Sequence, residues 1–142
     1  MADNLSIILN NQCFTFPARV YYEDTDAGGV VYHARYLHFF ERARTEYLRT
    51  LNFSQQSLLQ EQQVAFVVKT MSIDYCIPAK LDDYLIVETE ITAVKGATIL
   101  FEQRLVRETV VLSKATVKVA CVDLGKMKPV AIPEELKAAF LK

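Results

Sequence analysis

The chain has no tryptophan, only four glycines and four prolines, and three cysteines in 142 residues. So few chain breakers exclude a linker-rich or low-complexity polypeptide and leave most of the length to regular structure. Cys13, Cys76 and Cys121 are odd in number and far apart. That spacing argues against a disulfide framework, and without a C-x-x-C pair there is no zinc signature. Cys76 and Cys121 lie in apolar runs and read as small buried hydrophobes. No run approaches the ~18 consecutive apolar residues of a membrane span. "MADNLSIILNNQ" carries no basic region ahead of its short apolar run, so no secretory signal is expected. Sixteen basic and seventeen acidic side chains almost cancel. No net field therefore draws nucleic acid or an anionic membrane. These absences lead to the expectation of a soluble, reduced, cytoplasmic protein.

What is present suits one packed core. Hydrophobic residues make up 51% and charged residues 23% of the chain, and the length fits one domain over residues 1–142. "FTFPARVYYED" (14–24) is rich in aromatic and β-branched residues and reads as a strand, with Pro17 marking its start or an edge. From His33 the period changes. Tyr36, Leu37, Phe39, Phe40, Ala43, Tyr47, Leu48 and Leu51 recur at three- and four-residue spacing. This predicts a helix of about five turns with a broad buried stripe. "SQQSLLQEQ" (54–62) reads as a short second helix with Ser54 as N-cap. Four strands follow, at 64–77, 84–94, 97–108 and 110–123, with Lys95-Gly96 as a two-residue hairpin. "PEELKAAFLK" closes with a short helix entered through Pro133. The fold class is α+β: an antiparallel sheet of about five strands in meander-like succession, wrapped around one long helix. Such a sheet leaves long edges exposed, which implies a dimer joined through strands.

The block "YYEDTDAGGVVYHARYLHFFERARTEYL" (21–48) carries the chemistry. Asp24-x-Asp26 starts like a calcium loop, but its fifth position is Gly28 and its twelfth is Arg35, where a ligand and a bidentate glutamate belong. His33 and His38 are five apart, which on a helix is ~500° of rotation and puts the rings on different faces. His38 reads as a half-buried helix residue. No G-x-S-x-G, no cysteine near a histidine and no phosphate-binding glycine loop is present. What remains is a strand-to-helix junction. Ala27-Gly28-Gly29 allows a tight turn and a close backbone approach. The first N–H groups of the following helix have no intrahelical partner, and the macrodipole makes that end positive. A carbonyl oxygen placed there is stabilised most when it becomes an oxyanion. A carboxylate just upstream can serve it as general base or nucleophile. The same residue types also read as a helix cap and a plain turn.

"RVYYEDTDAGGVVYHARYLHFFERARTEYL" resembles the signature of the hotdog-fold acyl-CoA thioesterases of the 4-hydroxybenzoyl-CoA thioesterase type. The likeness is nearer still to the YbgC-type bacterial proteins associated with the Tol-Pal system. It continues through "VAFVVKTMSIDYCIPAKLDDYLIVETEI" and "CVDLGKMKPVAIP", from Arg19 to Pro133. The resemblance implies a hotdog fold, dimers that often form tetramers, and active sites at the subunit interface. It places the catalytic aspartate on Asp26 and leaves Asp24 to hold the turn. It places the oxyanion donor among backbone N–H groups near His33, whose side chain orients substrate or water. Gly29, Val30 and Tyr32 then border the substrate. Val67, Val68 and Lys69 line a pantetheine channel from a neighbouring subunit, and Lys126 and Lys128 of "GKMKP" meet the phosphates of CoA, unless they are ordinary solvated surface. No metal or other cofactor is implied, CoA being part of the substrate. Three alternatives stay open. They are a hotdog dehydratase using His33, a non-enzymatic acyl-CoA or acyl-carrier-protein sensor, and an interaction protein for acyl carrier protein or phospholipid-synthesis enzymes.

Overall fold

A computed structural model describes residues 13–51, 56 and 63–140. The elements run β1 (Phe14–Arg19), a 3₁₀ turn (Tyr22–Asp24), α1 (His33–Thr50), β2 (Val64–Tyr75), β3 (Tyr84–Lys95), β4 (Thr98–Arg107), β5 (Val110–Asp123), β6 (Lys128–Pro129) and α2 (Glu134–Phe140). The helix expected at 54–62 lies, apart from Gln56, outside the described residues.

The helical period of α1 is real. Tyr36, Phe39, Phe40, Ala43, Tyr47 and Leu48 are its buried residues. They form one cluster with the inward side chains of the sheet, among them Leu85, Val87 and Ile91 of β3, Ile99, Phe101 and Leu105 of β4, and Val117 and Val119 of β5. Truncating a fully buried side chain of this kind, such as Phe40 to Ala, costs about 3–5 kcal/mol. The stripe is narrower than expected. Leu37 is 42% exposed and His38 is exposed rather than half-buried, because they lie about 100° and 200° of helical rotation beyond Tyr36, off the line of Tyr36, Phe40, Ala43 and Tyr47.

All the strands pair antiparallel, in the order β1-β3-β4-β5-β2, with β6 added to β5. The sheet thus has six strands, and β3-β4-β5 is the meander. β2 does not adjoin β3 as a simple succession requires. It crosses to the far side and pairs with β5, Val64 opposite Asp123 and Tyr75 opposite Ser113. β1 is the other edge, where Pro17 needs no ladder donor on its outer side. β3 and β4 bury alternate residues, the period-2 signature of a sheet with one covered face. On the uncovered face Arg104 pairs with Glu88 at 2.8 Å and Glu90 at 2.9 Å. The β3–β4 turn is Gly96-Ala97, with Lys95 opposite Thr98. It falls one residue later than expected because Gly96, at φ +61°, supplies the left-handed first turn position.

Among the described residues no helix is long and apolar enough to cross a membrane.

Candidate functional site at the start of the long helix

β1 stops at Arg19, five residues short of the expected strand. The cause is Asp24. Its Oδ2 accepts the Tyr21 N–H at 2.9 Å, and its own N–H donates to Tyr21 O at 2.9 Å. These two bonds curl 22–24 into a 3₁₀ turn. Asp24 is only 5% exposed, and Arg35 Nε of α1 lies 3.7 Å from its Oδ1. The second aspartate of the block is placed differently. Asp26 is exposed, its Oδ1 accepts the Gly28 N–H at 2.8 Å, and its backbone closes a small loop through Asp26 N–H to Val30 O at 2.9 Å and Gly29 N–H to Asp26 O at 3.0 Å. Gly29 has φ +81°, which an L side chain adopts only at a cost. A Cβ at Gly28 would stand 3.3 Å from Asp26 Oδ1. One carboxylate oxygen is therefore held by the loop, while Oδ2 has no hydrogen-bond partner among the described residues.

The loop is laced to its surroundings. Thr25 bridges Val31, Val30 bridges Lys80, and Val31 N–H donates to Ala79 O at 2.8 Å. Tyr32 N–H donates to Asp24 O at 2.9 Å, and Arg35 N–H to Tyr32 O at 2.9 Å. Tyr32 is the N-cap residue of α1 but offers no capping side-chain bond. Among the described residues the His33 and Ala34 N–H groups are thus left uncapped, at the positive end of an 18-residue helix.

Asp26, Val30, His33, Tyr36, Tyr75 and Cys76 line one cleft of about 280 Å³. Tyr36, 2% exposed, has its hydroxyl fixed by the Ala79 N–H at 3.0 Å. Tyr75 donates to the His33 carbonyl at 3.3 Å, and its ring centroid is 4.8 Å from the His33 ring. Burial, and then the nearby Tyr36, push the Tyr75 hydroxyl above the usual phenol value, so it stays protonated. Among the described residues no group of three or more His, Cys, Asp or Glu side chains is placed to hold a metal ion.

The fold brings Asp26, Gly29, Val30 and His33 together, with Tyr32 exposed beside them, its ring 6.5 Å from that of His33. It does not bring the other expected residues to this cleft within one chain. Val67, Val68 and Lys69 are exposed on β2, the edge strand, with Lys69 skipped by the pairing register. Val68 borders a separate cavity of about 70 Å³ with Glu41 and Arg44. Lys126 and Lys128 are exposed around the turn after β5, where Asp123 Oδ1 accepts the Gly125 and Lys126 N–H groups at 2.8 and 3.1 Å. Cys76 corrects the sequence reading. It is exposed, not buried, because it follows the last β2 residue, and its backbone N–H turns in to Leu112 O at 2.9 Å. Cys121 is fully buried as expected. Tyr36 and Tyr75 were not singled out for the site. One matches the apolar stripe, and nothing in the sequence links Tyr75 to a loop more than 40 residues upstream.

The family model of the thioesterase-like superfamily matches residues 20–140. The chain belongs to the thioesterase-like superfamily. The acyl-CoA thioesterase YbgC of Haemophilus influenzae is 83% identical over 127 residues, covering 89% of this chain and 93% of that protein. The acyl-CoA thioester hydrolase YbgC of Escherichia coli O6:H1 is 55% identical over 133 residues, covering 93% and 98%. The crystal structure of a probable thioesterase from Bartonella henselae matches with TM-score 0.82 at 39% identity, over 86% of this chain and all of that one. The YbgC likeness read from the acidic block thus extends over most of this superfamily member, and its antiparallel sheet with a packed helix agrees with the hotdog expectation.

Proposed function

We propose that this chain is an acyl-CoA thioesterase that hydrolyses acyl-CoA to a free carboxylic acid and CoA thiol, with Asp26 as its central residue. One observation carries the reading: Asp26 and His33 share a cleft at the uncapped start of α1. The thioester carbonyl oxygen accepts from the His33 and Ala34 N–H groups. These donors stabilise the oxyanion more than the ground state. Gly28 holds Asp26 Oδ1 while Oδ2 faces the reaction. Asp26 then acts in one of two ways. It removes a proton from the attacking water, or it attacks the carbonyl carbon itself, expelling CoA thiolate and leaving a mixed anhydride that water opens. The His33 ring orients substrate or water. No metal or redox group takes part in either route.

The remaining expected residues fit the reading if two chains meet at the free edge of β2. Gly29, Val30 and Tyr32 border the thioester in one protomer. Val67, Val68 and Lys69 line the pantetheine channel from the partner, and Lys126 and Lys128 take the CoA phosphates. A homodimer through β2, paired into a tetramer, is part of the proposal. So are a cytoplasmic setting, association with Tol-Pal and contacts with acyl carrier protein or phospholipid-synthesis enzymes.

The test is thiol release from butanoyl-, palmitoyl- and benzoyl-CoA, with Asp26→Asn as control. Asn keeps the acceptor for Gly28 N–H but is neither base nor nucleophile, so kcat falls by at least ~100-fold. Full activity in that variant sinks the assignment. An enoyl thioester product makes the chain a dehydratase instead, and acyl-CoA binding without any product makes it a sensor.

A further inference from the structure

We infer that Tyr75 is the positioning residue for His33, holding the imidazole over the Asp26 cleft through an edge-on ring contact. This inference rests on the reading of His33 as a site residue.

Tyr75 stands at the last position of β2, and that end is pinned. It pairs with Ser113, Ser113 Oγ donates to the neighbouring Asp74 O at 2.8 Å, and Leu112 O accepts the next two N–H groups at 2.9 and 3.1 Å. The side chain leaves this fixed point and meets two rings. His33 is 4.8 Å away at an interplanar angle of 69°, and Tyr36 is 5.0 Å away at 85°. Both are edge-to-face arrangements, the geometry that aromatic quadrupoles favour. Tyr36 is itself immobile, being buried with its hydroxyl on Ala79 N–H. Tyr75 is therefore wedged between a rigid ring and the imidazole. Its hydroxyl also donates to the His33 carbonyl, but at 3.3 Å that bond is long for an O–H donor. The ring contact carries most of the restraint and the hydroxyl adds a tether to the first turn of α1.

His33 needs such a support. It is exposed, sits in the first turn, and has no side-chain hydrogen bond among the described residues. An imidazole free to rotate away from the cleft orients nothing, and small misplacements at a reacting centre are costly in rate.

The chain has two histidines, so imidazole-selective NMR yields two ring signals, with exposed His38 as internal reference. The expected result is a His33 signal displaced from that of His38 by the Tyr75 ring current. Tyr75→Leu collapses the displacement and lowers kcat for thiol release at least ~tenfold, with KM within ~threefold. Tyr75→Phe keeps the displaced signal and loses only a few-fold. In a His33→Gln background Tyr75→Leu costs less than ~twofold more, because the residue it supports is gone. A displaced signal that survives Tyr75→Leu overturns the inference, as do losses that multiply in the double variant. Should Tyr75→Leu melt below the assay temperature, both readings are taken at a lower temperature where it is folded, and Tyr75→Met, which also removes the ring, repeats the cycle with His33→Gln under the same criterion. Absence of thiol release in the parent protein defeats the proposed function instead, while the ring signals still report whether Tyr75 holds His33.

Discussion

Asp24 and Asp26 stand two residues apart with opposite surroundings. Asp24 is buried, bonded to Tyr21 N–H and facing Arg35. Asp26 is exposed in a cleft, its Oδ1 on Gly28 N–H and its Oδ2 without a hydrogen-bond partner among the described residues. Asp24→Asn keeps an acceptor for Tyr21 N–H but removes the charge opposite Arg35 and turns an amide N–H₂ into a buried site built for a carboxylate. The expected loss is about 1–3 kcal/mol in denaturant unfolding, with kcat for thiol release nearly kept. A stable but inactive Asp24→Asn would move the catalytic role from Asp26 to Asp24.

Gly29 tests the loop that presents Asp26. Nothing lies within 4 Å of where its Cβ would stand, yet its φ is +81°. Gly29→Ala thus meets no clash and pays only in backbone conformation, about 1–2 kcal/mol. Thermal melting reads that loss. Because Gly29 N–H bonds Asp26 O, any relaxation of the backbone moves the carboxylate, and kcat falls with it. A variant that melts lower but turns over like the parent shows that the loop tolerates the shift.

Much of this arrangement was legible because local physics set it. The spacing Tyr36-Phe39-Phe40-Ala43-Tyr47 names a helix face without help from the rest of the chain, and β5 falls on the alternation of 110–123. The larger misses are non-local or side-chain driven. The run 64–77 reads as a strand but holds no information on its partner, so the pairing of β2 with β5 was hidden. The strand at 14–24 was cut short by a carboxylate reaching back three residues. Val67, Lys126 and their neighbours lie away from the Asp26 cleft in one chain, and sequence spacing contains no term for that separation. Tyr36 satisfies an apolar pattern with its ring, and the pattern is blind to the hydroxyl that meets Ala79.

Gln103 supports α1 from the sheet. It is 1% exposed, its Nε2 donates to Phe40 O at 3.0 Å and Thr89 Oγ1 at 2.9 Å, and its Oε1 accepts Arg44 Nη1 at 2.9 Å. Burial pulls the Arg44 guanidinium below its usual value, with Glu41 opposing, and Gln103 gives this half-buried cation a neutral acceptor. Gln103→Leu fills the volume and removes every bond at once. Urea unfolding should show a loss of about 1–3 kcal/mol with an unchanged m-value. Because Phe40 and Arg44 lie about two and three helical turns from His33, KM and kcat should move little at temperatures where the variant is folded.

Cys76 and Cys121 separate by accessibility. Burial pushes the Cys121 thiol above the ordinary thiol value, so at pH 7–8 it holds less of the reactive thiolate than an ordinary thiol, and its sulfur is also covered. Cys76 is exposed on the wall of the Asp26 cleft. In a Cys13→Ser background, a maleimide should modify Cys76 in the native protein and reach Cys121 only after unfolding, as read by peptide mass. A bulky adduct at Cys76 fills the cleft in which the proposed function seats the acyl-CoA. Thiol release should therefore fall in step with Cys76 labelling, acyl-CoA should slow that labelling, and Cys76→Ser should lose sensitivity to the reagent. Full labelling of Cys76 with undiminished turnover would place substrate elsewhere than this cleft.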